Sequence, residues 1–354
     1  MASGGLPSPG PLPKGERGLG AADVLAVEGL RVEISIRGRW TPALNGVDLT
    51  IRRGEVLGLV GESGSGKSLT ARAIARLLPD NARVVGGSVR LEGEDLLGKP
   101  AADLDRVRAR SLALVFQNPT SYLNPVVRVG DQIAEIFELN PELVEAGGRS
   151  KREIRRRARA ASVTALGLVK IPDPERVAAQ YPFQLSGGMQ QRVVIAMALA
   201  RRPSLIVADE ITTALDVTIQ AQILMLLAEL RRTVGMTLLF ITHDLGLVAQ
   251  IADRVAVMYA GSVVESTDVR TLFRDPAHPY SRALLETAPA LDDARPEFRP
   301  IPGSVPALTD PPSGCRFHPR CALVRPDCSA AVPAIVQTAP GHSVACHLYG
   351  SRAT

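Results

Sequence analysis

No part of this sequence stays apolar for long. The longest uninterrupted apolar run, Val193 to Ala200, is 8 residues and is closed on both sides by arginine. A membrane-spanning helix needs about 20, so a bilayer-crossing segment is excluded. Nor does the N-terminus offer the apolar stretch of a signal peptide. Residues 1 to 22 are rich in Gly and Pro and read as a disordered tail on a protein expected to stay in the cytoplasm. A strong charge imbalance is also missing: 41 basic residues face 36 acidic ones for a net charge of +5, which decides little about partners. Cysteine is absent until position 315, and the four present are not expected to form disulfides in a reducing compartment.

What is there fits one large α/β domain with an appendage, or two domains of ordinary size, in 354 residues. Val24 to Ile36 and Gly46 to Ile51 alternate like strands, and Val56 to Val60 is a short apolar run suited to a buried strand. Ser68 to Leu78 has a helical pattern. From about 118 to 185 helix signals dominate, and this stretch reads as a helical insertion. It contains the basic cluster Lys151, Arg152, Arg155, Arg156, Arg157 and Arg159. Anionic lipid or nucleic acid would suit such a cluster, but a charge run along a helix is first of all a solvated face. Apolar strands return at Leu205 to Ala208 and Leu238 to Ile241, each followed by a helical pattern, as in a parallel sheet covered by helices. Beyond about Pro276 prolines multiply and every cysteine appears, marking a small loop-rich extension over 276–354 after a body spanning 23–275.

The segment Gly61-Glu62-Ser63-Gly64-Ser65-Gly66-Lys67-Ser68 satisfies G-x-x-x-x-G-K-[ST] between a strand and a helix. Glycines let the backbone curl so that N–H groups point at phosphate oxygens, and the helix N-terminus adds partial positive charge. Lys67 would reach the β- and γ-phosphates and the Ser68 hydroxyl would ligate Mg²⁺. A second carboxylate for the metal is available at a strand end, in Leu205-Ile206-Val207-Ala208-Asp209-Glu210. Asp209 would hold Mg²⁺, and Glu210, just past the strand, would polarise the attacking water. A plain strand end capping a helix is the alternative for this pair.

Two further motifs narrow the reading: Leu185-Ser186-Gly187-Gly188-Met189-Gln190-Gln191-Arg192, and His243 in Ile241-Thr242-His243-Asp244. The first resembles the signature of ABC ATPases. Together with the phosphate loop, Gln117, Asp209-Glu210 and Ala214-Leu215-Asp216, the order along the chain is that of the family. Physically, Ser186, Gly187 and Gly188 open a second helix N-terminus and a second anion site. The resemblance implies a P-loop fold with a mostly parallel core sheet, an antiparallel β subdomain and a helical subdomain. It also implies a head-to-tail dimer in which Ser186, Gly187, Gly188 and Gln190 of one subunit close over the ATP held by the other. In the same way Gln117 would sense Mg²⁺ and link to the membrane partner, Asp216 would signal across the dimer, and His243 would contact the γ-phosphate. Trp40, the only tryptophan, is the candidate for stacking on adenine. One departure is plain: the family usually has proline after the catalytic glutamate, and here Ile211 follows Glu210.

The stretch Tyr181 to Leu226, the segment Phe116 to Ile133 and the tail beginning His278-Pro279-Tyr280 look more narrowly like the ATPase subunits of dipeptide, oligopeptide and nickel importers. That resemblance implies two permeases, a second ABC ATPase subunit that is either related or identical, an external binding protein, and a peripheral location on the cytoplasmic face of the membrane. A soluble ABC ATPase acting on nucleic acid or ribosomes is the rival. Such proteins usually carry two ATPase halves or a long coiled coil, and this chain has neither, so no nucleic acid partner is expected.

Cys315, Cys321, Cys328 and Cys346 have the spacing C-x5-C-x6-C-x17-C. Four thiolates suit zinc or an iron–sulfur cluster, although the spacing is standard for neither. The segment Gly314 to Cys321 is similar to the tail of peptide-importer ATPases, some of which carry a [4Fe–4S] cluster. The resemblance therefore favours a cluster, with zinc second and His318 and His347 as bystanders.

Overall fold

The computed structural model describes residues 23–118, 121–140, 143, 149–213, 215–287 and 301–350. The tail at 1–22 lies outside them, as does Ala214. In chain order the first strands are β1 (Asp23–Ile36), β2 (Arg39–Arg52), β3 (Val56–Val60), β4 (Ala82–Leu91), β5 (Glu94–Asp95) and β6 (Leu112–Val115). They are followed by β7 (Leu205–Asp209), β8 (Leu238–Ile241), β9 (Arg254–Tyr259), β10 (Ser262–Asp268), β11 (Ile335–Ala339) and β12 (His342–Ala345). The long alternating segments β1 and β2 form a hairpin across Arg37-Gly38, both at positive φ, the backbone twist that suits a two-residue turn.

Two sheets result. One is antiparallel in the order β2-β1-β4-β5; the other runs β11-β12-β10-β9-β3-β8-β7-β6, with β9 to β6 parallel and the remaining neighbours antiparallel. Strands β3, β7 and β8 are buried along their whole length, which is why they read as continuous apolar runs. Their side chains still alternate between two cores. Leu57, Leu59, Leu205, Val207, Leu239 and Ile241 pack towards the antiparallel sheet and helix Lys67–Ile74. Val56, Val60, Ile206, Ala208, Leu238 and Phe240 pack on the opposite face with the remaining helices.

The helical insertion comprises Val129–Leu139, Lys151–Leu168 and Pro174–Ala178. Ser150 caps the second of these by accepting from Glu153 N. The basic cluster is a solvated face: Arg156 and Arg157 pair with Glu153, Arg155 with Glu138 and Arg159 with Asp131.

One expectation needs correction. The helix after the phosphate loop stops at Ile74, not Leu78, because Arg76 turns to a φ of 52° and its guanidinium binds the carbonyls of Leu96, Leu97 and Lys99. The C-terminal extension is mostly turn and loop among its described residues. It adds β12 and β11 to the edge of the main sheet, with Val344 opposite Glu265. The Glu265 carboxylate, fully buried, accepts from the backbone N–H groups of Ala277 and His278 and lies 2.8 Å from His342 Nε2.

Candidate functional site

The loops that follow β3, β6, β7 and β8 carry Gly61 to Lys67, Gln117, Glu210 and His243 respectively. They lie at the carboxyl ends of parallel strands, where ligands bind in open α/β sheets. Gly61, Gly64 and Gly66 have φ values of 150°, 79° and 107°. At Gly61 a Cβ would sit 2.1 Å from the Met258 carbonyl oxygen, and at Gly66 2.8 Å from Leu44 Cδ2, so the curl of the loop leaves no room for side chains there. Gly66 caps helix Lys67–Ile74 without a side-chain bond, and the first turn holds no acid. Its N–H groups are therefore available to an anion. Ser63 and Gly64 face solvent, and Ser65 is buried with an unpartnered Oγ.

Lys67 is 4% exposed and its ammonium donates to the carbonyls of Gly61 at 2.8 Å and Glu62 at 3.0 Å. Burial pushes its pKa down, while Glu210, Asp209 and Glu62 work in the other direction. Ser68 Oγ donates to Asp209 Oδ1 at 3.0 Å. Burial raises the Asp209 pKa; the Ser68 bond opposes this and the charge of Glu210 adds to it. A hydroxyl and a carboxylate oxygen in contact beside a phosphate loop are the protein's usual share of a Mg²⁺ shell, completed by phosphates and water. An ion held by Ser68 and Asp209 would supply positive charge against the charge that develops on the phosphates.

Glu210 stands at a φ of 51°, a left-handed conformation uncommon outside glycine and often found at functional sites. Its N–H donates to Ile241 O at 2.9 Å, and its Oε1 lies 3.6 Å from His243 Nδ1. Proline next in sequence would disfavour helical backbone at Glu210. Ile211 imposes no such restriction and is instead held by burial, at 2% exposure. His243 and Gln117 are exposed.

The signature forms a separate cluster. Ser186 caps helix Gly187–Ala200 by accepting from Met189 N, and Gln190 Nε2 donates to Pro182 O and Leu185 O. A Cβ on Gly188 would meet Ile219 Cγ2 at 2.7 Å. Asp216 caps the neighbouring helix Val217–Val234 by accepting from Ile219 N at 2.9 Å. Among the described residues no hydrogen bond or ion pair joins this cluster to the phosphate loop. Trp40 lies beside the hairpin turn, 40% exposed, with the Arg83 guanidinium 4.0 Å from its ring centroid. One ring face is therefore occupied.

Sequence reasoning missed the bracing of Glu62. Its N–H donates to Tyr280 Oη at 2.8 Å, and its carboxylate is gripped by Arg320 from 258 residues away. No local pattern announces such a contact. In the extension, Cys315 N donates to Cys328 O. Burial raises the pKa values of Cys315, Cys321 and Cys346, the last to about 11, and neighbouring thiols add to the effect. Among the described residues no group of three or more His, Cys, Asp or Glu side chains is arranged to hold a metal ion.

Comparison with known proteins agrees with this geometry. A family model described as ABC transporter matches residues 44–213, and one described as Oligopeptide/dipeptide transporter, C-terminal region, matches 264–328. A putative peptide import ATP-binding protein of Brucella abortus (strain 2308) is 46% identical over 338 residues, 91% of this chain and 96% of the relative. The chain belongs to the ABC transporter ATP-binding family. This ABC ATPase is also 47% identical to the oligopeptide transport ATP-binding protein OppD of Mycobacterium tuberculosis, over 91% of its own length and 51% of that relative's. Among solved structures it resembles the ATP-binding cassette MJ0796, a dimer in a post-hydrolysis state bound to ADP and Pi, with a TM-score of 0.58 and 29% identity over 70% of this chain and 99% of that one. It also resembles cbiO1 of Clostridium perfringens, part of the ABC transporter complex cbiONQ, with a TM-score of 0.59 and 26% identity over 72% of this chain and 91% of that one. ATP hydrolysis is its chemistry. Among the described residues no helix is long and apolar enough to cross a membrane.

Proposed function

We propose that this ABC ATPase powers a peptide importer from the cytoplasmic face of the membrane, paired with a second ATPase subunit and two permeases. The observation that carries this is the presence of two anion sites in one chain: the phosphate loop opens helix Lys67–Ile74 and Ser186 opens helix Gly187–Ala200. One nucleotide can use both only across a dimer interface. In this reading the loop from Gly61 to Ser68 holds the phosphates, Ser68 and Asp209 hold Mg²⁺, and Glu210 takes the proton of the attacking water. His243 orients the γ-phosphate beside Glu210, and Gln117 relays the state of the site to a permease. Ser186, Gly187, Gly188 and Gln190 close over the partner's ATP, Asp216 faces across the interface, and the free face of Trp40 stacks on adenine. ATP would favour closure because it contacts both faces only in the closed state. Peptide as cargo is supported by the named relatives and by the match over 264–328.

The experiment is to purify tagged Glu210→Gln protein from membranes with ATP and identify what accompanies it. Two permeases are expected, with or without a second ATPase. Soluble partners or nucleic acid alone would leave the ATPase standing and overturn the importer.

For the extension we propose a four-thiolate [4Fe–4S] site on Cys315, Cys321, Cys328 and Cys346. Support comes from all four cysteines of the chain falling in this extension and from Cys346 lying near enough to the other three for their charges to raise its pKa. Protein purified without oxygen is expected to be brown and to contain about four iron atoms per chain, lost together with the colour in a Cys328→Ser variant. Stoichiometric zinc would select the alternative ion, and neither metal would refute the site.

A further inference from the structure

The contact least explained by ATP chemistry is the one between the cysteine extension and the phosphate loop. Arg320 precedes Cys321 directly, in a short turn over His318–Arg320. Its side chain is 5% exposed and grips Glu62 in bidentate fashion, at 2.8 Å and 3.0 Å. The guanidinium also donates to Tyr259 Oη and to the carbonyls of Ile301 and Pro302, so it is fixed in place. Phe317 packs edge-on against Tyr259 and beside Tyr280, and Tyr280 Oη accepts from Glu62 N. Arg316 reaches Ala260 O and Asn45 Oδ1 next to Gly261, whose N–H donates to Ser65 O.

Glu62 is the residue after the first glycine of the phosphate loop, and its carbonyl is one of the two that hold the Lys67 ammonium. The carboxylate is braced from the extension, and the backbone of the same residue positions the lysine. A planar guanidinium fork on a carboxylate fixes orientation as well as distance.

We infer that Arg320 is a positioning residue for the nucleotide site: through Glu62 it holds the phosphate loop in its binding conformation, which makes ATP affinity depend on the cysteine extension being folded and docked. This rests on the reading of the loop as the ATP site. Arg320 touches no reacting group, so its loss lowers affinity and leaves saturated turnover intact.

The test measures binding of the fluorescent analogue mant-ATP, with Mg²⁺, to the full chain and to Glu62→Ala, Arg320→Ala and the double variant, alongside steady-state ATPase rates and thermal melting. Each single variant is expected to bind about tenfold more weakly, the ordinary scale for lost pre-organisation. The double variant should be no worse than the weaker single one, KM should rise with Kd, and kcat of Arg320→Ala should stay within about twofold. Glu62→Ala leaves Arg320's bonds to Ile301 and Pro302 untouched, so it reports on the latch even if Arg320→Ala undocks the extension. Wild-type affinity in Glu62→Ala overturns the inference, and so do penalties that add in the double variant. A Lys67→Ala control separates the two readings: mant-ATP binding that ignores Lys67 removes the nucleotide site itself, whereas Lys67-dependent binding that ignores Glu62 removes only the latch.

Discussion

Replacing Glu210 with glutamine is expected to cut ATP turnover by about 10² to 10⁴-fold, the usual contribution of a positioned general base, without weakening ATP binding. The carboxylate stands past the end of β7 in a left-handed backbone conformation fixed by its N–H bond to Ile241 O. It is the foremost of the charges that oppose the lowering of the Lys67 pKa. Glutamine keeps the size and the hydrogen-bonding reach towards His243, 3.6 Å away, but cannot accept a proton from water. It also removes a negative charge that would repel the γ-phosphate. ATP should then bind, draw two subunits together and remain, so that dimers accumulate with ATP and not with ADP. Light scattering on a sizing column reads the dimer, and single-turnover assays read the chemistry. Normal turnover would remove Glu210 from the base role and leave the carboxylate as a strand-end group.

The parts of this site legible in the sequence are those whose chemistry is local. A phosphate loop needs its glycines, lysine and serine within eight positions, and a helix cap such as Ser186 or Asp216 bonds three residues ahead. Such features survive any change in the surrounding fold. The apolar runs at β3, β7 and β8 were equally legible, since strands buried on both faces have no polar side to show. What could not be read depends on distant partners. Helix Lys67–Ile74 ends early where Arg76 turns to a positive φ and its guanidinium binds the carbonyls of Leu96, Leu97 and Lys99. Arg108 takes the carbonyls of Ala75 and Arg76, 33 and 32 residues away in sequence. Strand β12 is four residues long, too short for alternation to register, and exists because the edge of β10 is available to it. The grip of Arg320 on Glu62 joins two motifs that were each visible separately. Cysteine spacing counts ligands, but the identity of a metal is set by sulfur positions in space.

Gly61→Ala is expected to abolish nucleotide binding and lower the melting temperature by about 5 °C or more, on the scale of about 2–4 °C per kcal/mol for a domain of 150–250 residues. The added methyl group would sit 2.1 Å from Met258 O and 2.9 Å from Ser65 Oγ, at a φ of 150°. Met258 is part of β9, which is hydrogen-bonded to β3 and fully buried, so its carbonyl cannot retreat without parting two central strands. The loop must yield instead, which swings away the Gly61 and Glu62 carbonyls that hold Lys67. Gly64→Ala is the matched control. It has a left-handed φ of 79° but nothing within 4 Å of the new methyl group, so its cost is conformational, about 1 kcal/mol. Melting and mant-ATP binding of the two variants separate space from backbone freedom. A large loss at Gly61 beside a small one at Gly64 assigns the first glycine to close packing against β9. Equal losses would mean that the loop is limited by φ alone, and that its contact with β9 does not shape the site.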